Sequence, residues 1–231
     1  MKRPFLTGMK DGIPIALGYL SVSFGFGILA ASLGLSALEA FIISATNLTS
    51  AGQVAGVGII AALGTYIEMA VTQLVINIRY SLMAISLSQK LDESFRTPQR
   101  LLAAYGITDE IFAVAHSKPG KLVPSYMYGL ILVAFVGWTL GTVLGAVAGE
   151  ILPQAISDAM GILLYGMFLA IVLPEAKKSR GVLAVALIAA AVSVLFYYVF
   201  TMISGGFAII ISAVAAAAIA AVIWPVEEEE S

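Results

Sequence analysis

The hydropathy pattern is one of long continuous apolar runs broken by short polar turns. Runs rich in Ala, Leu, Ile and Gly cover residues 12–34, 38–63, 66–87, 122–148, 156–173, 182–203 and 207–224, with a short weak one at 107–116. About 20 apolar residues carry a helix across a bilayer core, so each long run is predicted as a membrane helix or part of one. Transmembrane strands would instead show short segments of alternating polarity, which excludes a β-barrel. The expected fold is an all-α integral membrane protein.

Loop charge changes this count. Lys and Arg collect at Lys2, Arg3 and Lys10, at Lys90, Arg96 and Arg100, at Lys118 and Lys121, and at Lys177, Lys178 and Arg180. Basic loops stay cytoplasmic, yet full crossings at both 38–63 and 66–87 would place the second group outside. One segment therefore fails to cross, and 38–63 is the candidate. Its middle, Ala45-Thr46-Asn47-Leu48-Thr49-Ser50-Ala51-Gly52-Gln53, gathers hydroxyls, amides and a glycine where a helix can break and turn backbone groups toward a cavity.

The expected organisation is a single transmembrane domain over 1–231, with about six transmembrane helices plus a broken re-entrant hairpin at 38–63. Residues 88–121 form a cytoplasmic loop with a short interfacial helix, and 225–231 an acidic cytoplasmic tail; the N-terminus is cytoplasmic. The helix at 107–116 would span only about 15 Å, too short to cross. A weak echo between Phe24-Gly25-Phe26-Gly27 and Gly137-Trp138 before Gly141 suggests an internal repeat. Gly137, Gly141, Gly145 and Gly149, four apart, predict a groove for close helix packing inside the chain.

Composition agrees with the bilayer as solvent. Of the 231 residues 60% are apolar and 11% charged, against about 25% charged in soluble domains, and the mean hydropathy is +1.00. The formal charge of −2 arises largely from Glu227 to Glu230. With no cysteine, thiol catalysis and thiolate metal sites are excluded. No phosphate loop, histidine pair at metal spacing, nucleophile elbow or basic aromatic surface for nucleic acid occurs, so neither an enzyme, a cofactor nor a metal is expected. What remains is a pathway through the membrane.

An ionisable group at membrane depth costs about 2.5–3.5 kcal/mol and needs a partner, a cavity or a function. Arg79 lies roughly 12 Å from the end of its helix. Either it snorkels or it joins a polar network; Gln73 and Asn77, which share a stripe with Tyr80, favour the network, while Glu68, Thr72 and Arg79 form a second stripe. Thr108 or Asp109 is placed to cap the short helix. Alternatively, Asp109 or Glu110 pairs with a cation such as Arg79 or takes up protons. His116 reads as interfacial, and Glu39 and Asp158 as boundary anchors.

Ser50-Ala51-Gly52-Gln53, Asn77-Ile78-Arg79-Tyr80 with Ser81 to Ser88, Thr108-Asp109-Glu110-Ile111-Phe112, and Asp158 to Pro174 resemble, in order and spacing, the AzlC family, the large subunit of branched-chain amino acid exporters. The resemblance covers nearly the whole chain. Two positions depart from it: Tyr80 where many relatives carry histidine, and Val54 where an aromatic is common. It implies proton-driven export of leucine, isoleucine, valine or similar amino acids from a bacterial plasma membrane, with a small hydrophobic AzlD-type subunit as partner.

On that basis Asn47, Thr49, Ser50, Gly52 and Gln53 are expected to bind a zwitterionic head and Arg79 to attract its carboxylate, with Gln73, Asn77 and Tyr80 beside them and Asp109 or Glu110 as proton-coupling candidates. The alternatives are export of another zwitterion or organic acid, and a non-transporting membrane assembly subunit.

Overall fold

A computed structural model describes residues 4–153, 166, 169, 172–174, 176–200 and 202–223. Nine helices are named among them: α1 Pro4–Ser32, α2 Ala37–Thr46, α3 Ser50–Ala61, α4 Tyr66–Ser88, α5 Thr97–Tyr105, α6 Asp109–Ser117, α7 Pro124–Ile151, α8 Arg180–Tyr198 and α9 Gly205–Ile223. There is no strand among the described residues, only an isolated bridge between Leu91 and Leu122. Five helices, α1, α4, α7, α8 and α9, are long and apolar enough to cross a membrane. The chain is an all-α integral membrane protein. The apolar run at 156–173 and the tail at 225–231 lie almost wholly outside the described residues.

The chain divides into two compact units, Met1–Val57 with Ile76–Leu164, and Gly58–Val75 with Tyr165–Ser231. The first is organised by α1 against α7. A Cβ added at Gly137, Gly141 or Gly145 would fall on the backbone of Ala16, Leu20 or Phe24 respectively. These pairs ascend together, so the two helices run parallel, and glycine lets their backbones touch. The glycine row thus serves packing within the chain.

The run at 38–63 holds two helices, α2 and α3. Ser36 and Glu39 form a reciprocal capping box that starts α2, and Asn47 ends it. Gln53 Nε2 then donates to Asn47 O and to Ile43 O (3.4 Å). Ten residues along an uninterrupted helix separate groups by about 15 Å. The chain therefore folds back at Asn47-Leu48-Thr49, and Val54 and Val57 of α3 return to the cluster that holds Ile43 and Ala40 of α2.

α2 also packs on α7. Ser44 Oγ and Thr142 Oγ1 share a buried hydrogen bond of 2.7 Å, and Ala40 and Ala146 belong to one buried cluster. One number falls as the other rises, so these helices are antiparallel. Leu48, at the hairpin's turn, belongs to one buried cluster with Trp138.

The segment at 88–121 holds two short helices rather than one. α5 escapes hydropathy because it is amphipathic and polar at its start; Pro98 in its first turn and Gly106 at its C-cap bound it. The two ends of the segment are tied, with Leu122 N donating to Lys90 O (2.8 Å) and Asp92 N to Leu122 O (2.9 Å).

In the second unit α8 and α9 pack as a pair. Glu68, buried in the first turn of α4, accepts from Ser204 Oγ (2.5 Å) and Gly206 N (2.9 Å) at the head of α9. The carboxylate thereby satisfies an N–H that α9 leaves outside its own ladder.

Candidate functional site

The polar residues singled out in the sequence fall into two groups of the first unit and one of the second. At the hairpin turn, Thr49 Oγ1 accepts from Gly52 N (3.3 Å), capping α3. Thr49 and Gln53 are buried, and Asn47 and Ser50 half-buried. The Gln53 amide is engaged with the last carbonyls of α2 and with Ser44 Oγ (3.4 Å). It therefore closes the hairpin rather than facing an open space. From outside the hairpin, Tyr105 Oη donates to Ala45 O, joining the end of α5 to the last turn of α2.

The second group lies where α4 meets α6. Arg79 Nη2 pairs with Asp109 Oδ2 at 2.8 Å, both side chains a little under half exposed. Arg79 also donates to Tyr80 Oη (3.3 Å) and lies 5.0 Å from the centre of that ring. Arg79 thus meets Asp109 and Tyr80. Partial burial pushes the Asp109 carboxyl above the usual aspartate range, the Arg79 charge pulls it down and Glu110 adds to the rise.

Thr108 caps α6, its Oγ1 accepting from Ile111 N (3.3 Å). Tyr19 Oη, on α1, touches both Thr108 Oγ1 and Glu110 Oε2, the latter at 2.5 Å. A phenol has one proton. The consistent arrangement is Thr108 donating to the Tyr19 oxygen and Tyr19 donating to the Glu110 carboxylate. The Tyr19 ring stands edge-on to Trp138 of α7, with centroids 5.1 Å apart and planes at 77°. Tyr19, Leu48, Ile111 and Trp138 belong to one buried cluster, with Tyr80 packed against it. The hairpin turn, α6 and an aromatic pair of α1 and α7 thus share one core.

At the other end of α6, Lys118 Nζ pairs with Asp11 Oδ2 (2.7 Å), which also accepts from Tyr126 Oη (2.9 Å). Lys90 Nζ donates to His116 O and Lys118 O, satisfying the last carbonyls of α6. The helix is pinned at both ends. Gln73 belongs to the second unit, with Nε2 3.8 Å from Met69 Sδ. Among the described residues no group of three or more acidic, histidine or cysteine side chains is placed to hold a metal.

Tyr19, Trp138, Ser44, Thr142 and Asp11 are not singled out by sequence reasoning. Their partners lie about a hundred residues away, and each is a single polar or aromatic residue in an apolar run. Asp11 falls just before the apolar run at 12–34, and only the structure places it inside α1.

The model for the AzlC protein family matches residues 14–152. The inner membrane protein YgaZ of Escherichia coli K12 is 29% identical over 196 residues, covering 82% of this chain and 80% of that one. An uncharacterized membrane protein of Archaeoglobus fulgidus is 30% identical over 175 residues, 75% of this chain and 76% of its own. A membrane protein of Helicobacter pylori is 29% identical over 154 residues, 63% and 66% of the two chains. No solved structure matches significantly. Family and relatives support a membrane transport role. The matched span holds the α1–α7 pair, the broken hairpin and the Arg79–Asp109 pair, and the chain belongs to the AzlC family.

Proposed function

We propose that this chain is the large subunit of a two-subunit, proton-coupled exporter of branched-chain or similar apolar amino acids, with a small hydrophobic AzlD-type subunit as its partner. Its setting is a bacterial plasma membrane with the N-terminus cytoplasmic, as the loop charges favour, so the hairpin at 38–63 enters and leaves from the external side. The observation that carries the reading is the broken hairpin, whose turn at Leu48 shares a buried cluster with Tyr19 and Trp138, Tyr19 in turn bonding Glu110 of α6. Broken helices at membrane depth offer unpaired backbone groups to a polar head, and the surrounding apolar side chains suit an aliphatic tail. Arg79 supplies positive charge beside this place. Asp109 and Glu110 supply the groups that exchange protons.

The test is leucine and valine export from cells carrying the full chain and its neighbour subunit. Arg79→Ala leaves the Asp109 carboxylate without its cation, and export is expected to fall at least tenfold, a loss of about 1.4 kcal/mol or more in transition-state terms. Arg79→Lys, which keeps charge but not the planar fork, should fall between the two. Export unchanged in Arg79→Ala would remove the role given to Arg79.

A further inference from the structure

Trp138 is 3% exposed, and among the described residues its indole Nε1–H meets no acceptor. A buried donor of this kind is uncommon, because leaving it unpaired costs as much as a lost hydrogen bond. The Tyr19 hydroxyl does not serve as the acceptor, because it is engaged with Thr108 and Glu110.

The surroundings of Trp138 are specific. α2 runs antiparallel to α7, with Ser44 against Thr142 and Ala40 clustered with Ala146, and Leu48, at the hairpin's turn, shares the buried cluster of Trp138. Just past that turn α3 begins, and the first N–H groups of a helix have no partner in its own ladder. Thr49 Oγ1 takes the N–H of Gly52, so Ser50 and Ala51 head the helix with donors outside the ladder. An indole N–H and the head of a twelve-residue helix are both donors. Together they suit an acceptor with negative charge.

We infer that Trp138 is a substrate-binding residue, its Nε1–H forming with the N–H groups of Ser50 and Ala51 the subsite for the carboxylate of a zwitterionic amino acid. This rests on the transport reading above and deepens it. The carboxylate goes to neutral donors at the hairpin turn, and the Arg79–Asp109 pair remains intact beside it. The Tyr19–Thr108–Glu110 chain fixes the ring that packs in a T shape against Trp138.

The protein has two tryptophans, so W224F leaves Trp138 as the sole indole of the full chain. In lipid nanodiscs, L-leucine should shift and saturably change its emission. L-leucinol and L-leucinamide, which lack the carboxylate, should not do so at equal concentration, and 4-methylpentanoate should do so more weakly than leucine. In cells, W138F keeps an aromatic ring and loses the N–H, and its KM for leucine export should rise roughly ten- to hundred-fold, the range for one hydrogen bond to a charged group, with the maximal rate less affected.

An emission that ignores leucine, or answers leucinol as it answers leucine, overturns the inference, as does an unaltered KM in W138F. Export by the wild type judges the transport reading separately. A chain that exports no leucine while Trp138 still reports leucine and not leucinol ends the transport reading and leaves the carboxylate subsite standing.

Discussion

The hydroxyl of Tyr19 ties α1 to the head of α6, and its removal is a measurable perturbation. Tyr19→Phe keeps the ring and its edge-on contact with Trp138, and deletes one oxygen. Two interactions go with it. The bond to Glu110 is charge-assisted, but Glu110 is exposed, so solvent screening holds its worth to about 1 kcal/mol or less. The bond to Thr108 is buried at both ends, with Thr108 only 4% exposed. Its loss leaves a hydroxyl proton without an acceptor, at about 1–3 kcal/mol. The sum is about 1–4 kcal/mol.

The assay is reversible unfolding of the full chain in mixed detergent micelles, with Thr108→Val and the double variant completing a cycle. Thr108→Val also loses the cap of α6, about 1 kcal/mol. In the double variant no buried hydroxyl is stranded, so the combined loss should be less than the sum of the single losses by about 1–2 kcal/mol. A Tyr19→Phe loss below about 0.5 kcal/mol, or strict additivity with Thr108→Val, would refute the reasoning that the buried bond carries the tie.

Gly141→Val places side-chain atoms on the backbone of Leu20 and on Ser23 Oγ, so α1 and α7 must separate. The folded full chain should fall to a small fraction of wild type by size-exclusion yield, whereas Gly58→Ala, where an added Cβ meets nothing nearby, should leave it unchanged. Asp109 predicts a pH effect whose sign follows from its raised affinity for a proton. The folded chain holds this proton more tightly than the unfolded chain, so Asp109 weakens the folded state as pH rises from the ordinary aspartate range through its raised value. Arg79→Gln removes the one charge that pulls it down and should move its titration to still higher pH. The check is the infrared band of the protonated carboxyl, assigned by its loss in Asp109→Asn, and a move to lower pH would contradict the assignment of causes.

The membrane class and the long spans were legible because each is a local property. Apolar runs, hydroxyl and amide clusters and glycine spacing act within a few residues of themselves, and loop charge constrains which run fails to cross. Arg79 and the Thr108-Asp109-Glu110 turn were legible too, since a charge in an apolar setting must be answered. Their partners were not all legible. Asp109 was one of two candidates for Arg79, and nothing in the sequence separates it from Glu110; the placement of α6 against α4 and α1 does, turning one carboxylate to the guanidinium and the other to Tyr19. Gln53 read as a binding amide, yet the fold-back of α3 onto α2 brings it to the open carbonyls of α2. Trp138 was one aromatic in an apolar run until the fold placed it in one buried cluster with Leu48 of the hairpin turn. The sequence by itself determined the long apolar helices and the charges of Arg79 and the Thr108-Asp109-Glu110 turn that need partners, because those depend on neighbours along the chain. Only the tertiary structure decided which partners they take, because hydrogen bonds and ion pairs act over a few ångströms between residues a hundred positions apart.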